Sequence, residues 1–276
     1  MSFNFNPAGS GKILINSHRG FSQQYPENTH HAFDGAIKAG TYSMEIDVAM
    51  TNDNQIVVIH DHRVDRTSNG HGYVEEMSFA QLEALDFGAW FAPKFKGTKI
   101  MTLEQLLHWA IDNNAGLVVE VKQRQKRHEF IEELKQLLDR IPKAYDHVML
   151  LAFDHPLMQY AKTLMPQVKT QVVTIARYCN HLEAIMQSGA DYVCIEYPHT
   201  HVDDLRMFKK AGLGIRLYLQ PNDQDLHPIE DLRLKYGNCV KEDILSWMRE
   251  GLLDMISHDD INMLKALALE AGLEPI

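Results

Sequence analysis

The segment Ile13–His62, ILINSHRGFSQQYPENTHHAFDGAIKAGTYSMEIDVAMTNDNQIVVIHDH, sets two histidines, an arginine and two carboxylates just beyond apolar, strand-like runs. Strand side chains alternate between faces, so Glu45 and Asp47 in SMEIDVAM share one face while Met44, Ile46 and Val48 take the other. Two carboxylates on one face repel each other and are expensive to take out of water uncompensated, so a cation, a proton or a basic neighbour is expected between them. A bound metal is the simplest answer.

Working outward, Ile13-Leu14-Ile15 runs into Ser17-His18-Arg19-Gly20, and Ile56-Val57-Val58-Ile59 runs into His60-Asp61, so both strands are expected to deliver a histidine at their C-terminal ends. Between them Asn28 or Thr29 can cap a helix with an apolar stripe of Ala32, Phe33, Ala36 and Ile37, ended by Gly40. The stretch 63–101 is too long for an ordinary βα connection and reads as a small inserted subdomain. Its residues Phe79, Leu82, Leu85, Phe87, Trp90, Phe91 and Phe95 are expected to pack a core of their own, with a hydrophobic wall or lid over a lipid-like substrate as the alternative.

Thr102 to Gln105 spells a capping box ahead of Leu103, Leu106, Leu107 and Ala110. GLVVEVK follows as a strand whose Glu120 and Lys122 share a face. The runs HVMLLAF, TQVVTI, YVCIEY, GIRLYL and LLDMIS then alternate with helical patterns. With IVVIH counted as a continuation of the second strand region, about eight βα units result, which predicts an α/β fold of the TIM (β/α)8 barrel type in a single domain spanning 1–276. An open doubly wound sheet would usually carry a glycine-rich phosphate loop, and no GxGxxG or GxxxxGK[ST] follows a strand. Barrel sites lie at the C-terminal strand ends, where His18, Glu45, Asp47, His60 and Glu120 fall.

Glu45, Asp47 and Glu120 offer only oxygen, which suits Mg²⁺ or Ca²⁺, with Mn²⁺ as a further option, rather than zinc. Each alone could be a salt-bridged strand-end carboxylate; three at matching spacings beside two histidines point to a metal site. An unperturbed imidazole takes or gives a proton near neutrality, so His18 and His60 are expected to act as an acid-base pair. Most of the 15 histidines must be structural, His30, His31, His71, His128 and His155 among them. His60 and His62 also spell HxH, but the neighbouring strands offer carboxylates rather than further imidazoles. Arg19 can hold a phosphate through its planar fork, and Lys122 supplies a point charge. Glu27 and Asn28 read as loop-orienting residues.

At 45% hydrophobic and 23% charged, the composition is that of an ordinary globular protein. The net charge of −10 opposes nucleic acid or an anionic membrane as the main partner. No apolar run approaches the length of a membrane span, and no signal-like stretch opens the chain, so a cytoplasmic location is expected. Cys179, Cys194 and Cys239 are odd in number and widely spaced, which reads as free thiols.

The motifs HRG (18–20), PENT (26–29), ExD (Glu45, Asp47) and HD (60–61), followed by RTSNGHG, resemble the glycerophosphodiester phosphodiesterase family. The resemblance is dense from His18 through Lys122, continues in FDHPL (153–157), and thins after Val172. It implies a barrel in which Glu45, Asp47 and Glu120 hold a cation that takes a glycerol hydroxyl and a phosphate oxygen of a small glycerophosphodiester. His18 and His60 shuttle protons, the glycerol hydroxyl attacks phosphorus, the alcohol leaves, and water opens the cyclic phosphate to glycerol 3-phosphate. Two readings stand beside it: cleavage of lysophospholipids in the manner of a lysophospholipase D, and a non-catalytic barrel that binds phosphodiesters. The second rests on departures from the family pattern: Tyr218-Leu219 stand where tryptophan and threonine are common, and Ser257-His258 where Thr-Asp is typical.

Overall fold

A computed structural model describes residues 2–220 and 226–276. Eight parallel strands close a ring in the order β1 (Lys12–His18), β2 (Ser43–Met50), β4 (Gly116–Val121), β5 (Val148–Ala152), β6 (Lys169–Thr174), β7 (Tyr192–Glu196), β8 (Gly214–Tyr218) and β9 (Met255–His258). Pairing of β1 with both β2 and β9 closes it. This is a TIM barrel. Helices pack outside it, burying stripes such as Phe130, Ile131, Leu134 and Leu138 against the outward faces of the strands. β10 (Glu274–Pro275) adds a short pairing to β1.

The barrel interior is closed from below by the N-terminal segment. Phe3 and Phe5 pack edge to face, ring centroids 4.8 Å apart, and join Leu14, Val118, Met149 and Met255 in an apolar plug. Gly116 is required here, since a Cβ would lie 2.3 Å from the Phe3 ring.

β3 (Ile56–Val58) differs from the sequence expectation. It is not part of the ring; it runs antiparallel to β2, with Val48 facing Val58 and Met50 facing Ile56. β2 climbs past the rim and the chain turns back, until the Ile59 amide donates to the Asp47 carbonyl at 2.9 Å. His60 therefore comes to the barrel mouth on the return arm of a hairpin rather than at the end of a barrel strand. A run of four apolar residues carries no information on strand direction, so alternation alone could not separate the two arrangements.

Beyond His60, short helical turns at Val74–Glu76 and Pro93–Phe95 flank the helix Phe79–Glu83, whose Ser78 and Gln81 form a capping box. Val64, Val74, Leu82, Phe87 and Ile100 pack with Val57 and Ile59 in a separate small cluster. None of the aromatic residues of this stretch lines the main cavity. The capping box at Thr102 and Gln105 starts the helix Leu103–Asp112 as expected.

Candidate active site

A cavity of about 150 Å³ opens at the C-terminal ends of the strands, lined by His18, Arg19, Glu45, His60, Glu120 and Lys122 on one side. Asp47 lies beneath them, fully buried. The parallel register puts Glu45 opposite Val118 and Asp47 opposite Glu120, so the carboxylates of two neighbouring strands meet above the plug. One oxygen from each of Glu45, Asp47 and Glu120 lies within 4.8 Å of the others. The structure thus brings all seven sequence-selected residues to one place.

The first turn after β1 is built under strain. Arg19 and Gly20 both adopt left-handed backbone, φ 57° and 78°, and a Cβ on residue 20 would lie 2.8 Å from the Ala32 backbone. Left-handed geometry in a non-glycine residue costs on the order of 1–3 kcal/mol and persists where surroundings hold it. Here the Arg19 amide donates to both the Glu45 carbonyl, at 2.9 Å, and Glu45 Oε2, at 3.2 Å. The strained turn aims His18 and Arg19 at the carboxylates.

Asn28 also takes left-handed backbone, φ 56°. It does not cap the following helix; Thr29 does, accepting from the Ala32 amide ahead of His30–Lys38. Asn28 instead donates from Nδ2 to Asp47 Oδ2 at 2.9 Å and clamps that carboxylate. Glu27 accepts from Arg19 at 3.0 Å and from Arg66 at 2.7 and 2.8 Å. Arg66, from the stretch after β3, also donates to both oxygens of Asp61.

Each site histidine has its Nδ1 against an aspartate. His18 Nδ1 lies 2.7 Å from Asp259 Oδ1, and His60 Nδ1 lies 2.7 Å from Asp61 Oδ1. Burial works against charge on Asp259, but its bond to His18 holds it down at about 2. An ionised carboxylate only accepts, so Nδ1 of His18 carries the proton and Nε2, 3.8 Å from Glu45 Oε2, is the nitrogen left for chemistry. Burial pulls the His18 pKa down; the Asp259 bond and the nearby Glu45 charge outweigh it, and the net shift is upward.

Burial and the Asp47 charge push Glu45 well above the ordinary carboxylate range. Asp47 moves the other way: burial would raise it, but Lys122 and Arg19 bring it down. Lys122 Nζ donates to Glu120 Oε1 at 2.6 Å and lies 3.4 Å from Asp47 Oδ1; Arg19 Nε lies 3.4 Å from Asp47 Oδ2. Among the described residues, Glu45 Oε1 and Asp47 Oδ1 are buried without a hydrogen-bond partner. Buried lone pairs of this kind are costly, and a divalent cation with its preference for oxygen would satisfy both.

Several functional candidates lay outside the sequence reading. Asp259, Arg66, Glu196 and Arg216 are not singled out there, whereas Asp61, Asn28 and Tyr218 are named only as parts of motifs or as a departure. Asp61, Asp259, Arg66 and Asn28 orient the site, and Glu196, Arg216 and Tyr218 complete the far wall of the cavity. Of the two departures at the end of β8, Tyr218 faces the cavity with its ring 5.2 Å from that of His18, while Leu219 is buried in the core. His258 is buried, and its Nδ1 accepts from the Asp260 amide at 2.9 Å. The carboxylate partner of His18 comes one position later, from Asp259.

Residues 18–263 match the model of the glycerophosphoryl diester phosphodiesterase family. The Bacillus subtilis protein YhdW, whose name assigns it provisionally to the glycerophosphodiester phosphodiesterases, is 38% identical over 209 residues, covering 74% of this chain and 84% of its own. A Bacillus subtilis glycerophosphodiester phosphodiesterase is 27% identical over 80% of each chain. Among solved structures, a glycerophosphodiester phosphodiesterase from Agrobacterium tumefaciens superposes with a TM-score of 0.73 at 25% identity, covering 92% of this chain and 99% of that one. A phosphodiesterase from Oleispira antarctica, in complex with its product sn-glycerol 3-phosphate, shares the fold with a TM-score of 0.77 at 23% identity, over 95% and 98% of the two chains. No helix among the described residues is long and apolar enough to cross a membrane. With the family matched across most of its length and this constellation at its barrel mouth, the chain belongs to the glycerophosphoryl diester phosphodiesterase family, enzymes that hydrolyse glycerophosphodiesters.

Proposed function

We propose that this enzyme hydrolyses deacylated phospholipid diesters to sn-glycerol 3-phosphate and an alcohol, with His18 and His60 as its acid-base pair and Glu45, Asp47 and Glu120 as ligands of a divalent cation. The observation that carries the reading is the paired arrangement of the histidines. Each has Nδ1 tied to an aspartate and both line the cavity that holds the carboxylates.

The donor set fits a hard cation: three carboxylates within reach of one another, two of them with buried oxygens lacking hydrogen-bond partners among the described residues. Such a cation, when bound, polarises the phosphoryl oxygens and spreads the charge that develops on them. Mg²⁺, Ca²⁺ and Mn²⁺ all suit oxygen donors.

The chain's own groups supply the rest. Arg19 and Lys122 keep their protons: burial disfavours the charged forms, but Asp47 raises both, joined by Glu27 at Arg19 and Glu120 at Lys122. They present fixed positive charge to the phosphate. One histidine takes the proton of the attacking hydroxyl through Nε2 while the other gives a proton to the departing alcohol. Asp259 and Asp61 fix the tautomers and stabilise whichever ring becomes imidazolium.

The test is the pair of variants His18→Ala and His60→Ala assayed for release of sn-glycerol 3-phosphate from glycerophosphocholine. Both should lose at least about a hundredfold in kcat with an unchanged circular dichroism spectrum. Full activity in either removes that histidine from the reaction.

A further inference from the structure

Glu196 ends β7, and in the ring order β7 stands diametrically across from β2, which carries Glu45 and Asp47. The half-buried Glu196 side chain lines the same cavity. Its Oε2 accepts from Gln220 Nε2 at 2.7 Å, and no ion pair joins it to any described residue. Arg216, the cation on the neighbouring strand, lines the cavity as well, but its Nη2 donates to Ser257 Oγ on β9 at 2.9 Å and it forms no ion pair with Glu196. Beside Glu196 the wall carries Leu151, Val173, Phe153 and Tyr218 together with Cys194 and the deeply buried Arg216, with Phe153 54% exposed at the mouth.

The direction of the reaction gives this wall a ligand. In-line displacement at phosphorus sets the attacking and leaving oxygens on opposite sides. With the glycerol hydroxyl held at the β2 and β4 carboxylates, the departing alcohol points across the mouth toward β7. A carboxylate with no cationic partner, set among aromatic and aliphatic side chains, complements an alkylammonium group through charge and ring faces together.

We infer that Glu196, with Phe153 and Tyr218, forms a head-group subsite for a cationic amino alcohol, so that glycerophosphocholine and glycerophosphoethanolamine are preferred over glycerophosphoglycerol and glycerophosphoinositol. The inference rests on the hydrolytic reading above and names the substrate class within it.

The experiment compares kcat/KM for the four diesters in the wild type and in Glu196→Gln, together with calorimetric titration of choline into chelator-treated protein, which reads the subsite without turnover. The wild type should favour the cationic pair and bind choline. In Glu196→Gln the ratio of kcat/KM for glycerophosphocholine to that for glycerophosphoglycerol should fall about tenfold, mostly through KM, and choline binding should be lost. An equal loss on all four substrates would place Glu196 on the glycerol they share and overturn the inference, as would a wild-type enzyme indifferent to head-group charge. No turnover of any diester, with Glu196-dependent choline binding intact, would instead strike the hydrolytic reading and leave the cation subsite standing.

Discussion

His18 Nδ1 and Asp259 Oδ1 lie 2.7 Å apart although 241 residues separate them in the chain. The contact joins the first barrel strand to the loop after the last, across the seam where β1 pairs with β9. Ser22 Oγ donates to the same Asp259 oxygen at 3.0 Å, so the carboxylate is itself held in place. Asp259→Asn keeps the shape and removes the charge. Its kcat should drop by about 10²–10⁴-fold, with melting little changed at neutral pH. Because Asp259 raises the His18 pKa, the kinetic limb that reports His18 should move to lower pH in the variant, which a kcat profile from pH 5 to 9 would record.

That pair also marks where the sequence stopped being informative. Glu45, Asp47 and Glu120 were legible because strand periodicity fixes which side chains share a face, and a (β/α)8 barrel fixes which end of a strand is the working end. Asp259 was not. Ser257-His258 reads as a departure from the usual Thr-Asp, and only the three-dimensional path of the chain shows a carboxylate arriving one residue later beside His18. The choice between Asn28 and Thr29 as the cap stayed open for a related reason: Asn and Thr are both good caps, and nothing local reveals that Asn28 turns to clamp Asp47 while Thr29 does the capping. The direction of β3 was equally hidden, since an apolar run reads the same in either orientation.

Removing one of the carboxylates proposed as ligands should separate cation binding from folding. In metal-free protein Glu45 is a buried carboxylate beside Asp47, so Glu45→Gln relieves repulsion. The chelator-treated variant should melt at or slightly above chelator-treated wild type, by no more than about 2–4 °C. Wild type should gain stability on adding the cation and the variant should not. Differential scanning calorimetry with and without Mg²⁺ or Ca²⁺ checks both halves; an equal gain in the variant would remove Glu45 from the ligand set.

Arg66 links Glu27 to Asp61 and through them steadies Arg19 and His60. Arg66→Met should reduce kcat/KM roughly tenfold through lost positioning. It should also change the acid limb of stability. The Asp61 carboxyl is held below its ordinary range chiefly by Arg66, so the pair's contribution is present above about pH 3.9 and disappears as pH falls toward the lower folded value. The partners are substantially exposed, so the effect should stay below about 1 kcal/mol. Urea melts at pH 6 and pH 2.5 should show a wild-type advantage at the first that shrinks at the second.

The floor of the barrel should affect stability without touching chemistry. Phe5 is 1% exposed within the plug opposite the mouth. Phe5→Ala should cost about 3–5 kcal/mol by cavity formation. At a temperature well below its melting point, kcat per folded molecule should match wild type; a large loss would mean that the plug sets the geometry of the mouth.

The most direct test of the central claim is release of sn-glycerol 3-phosphate from glycerophosphocholine by protein stripped with chelator and then given Mg²⁺, Ca²⁺ or Mn²⁺ separately. Stripped protein should give no release, and at least one of the three cations should restore it. Undiminished release after complete stripping would contradict the role of Glu45, Asp47 and Glu120 as cation ligands, and no release with any of the three would contradict the assigned reaction.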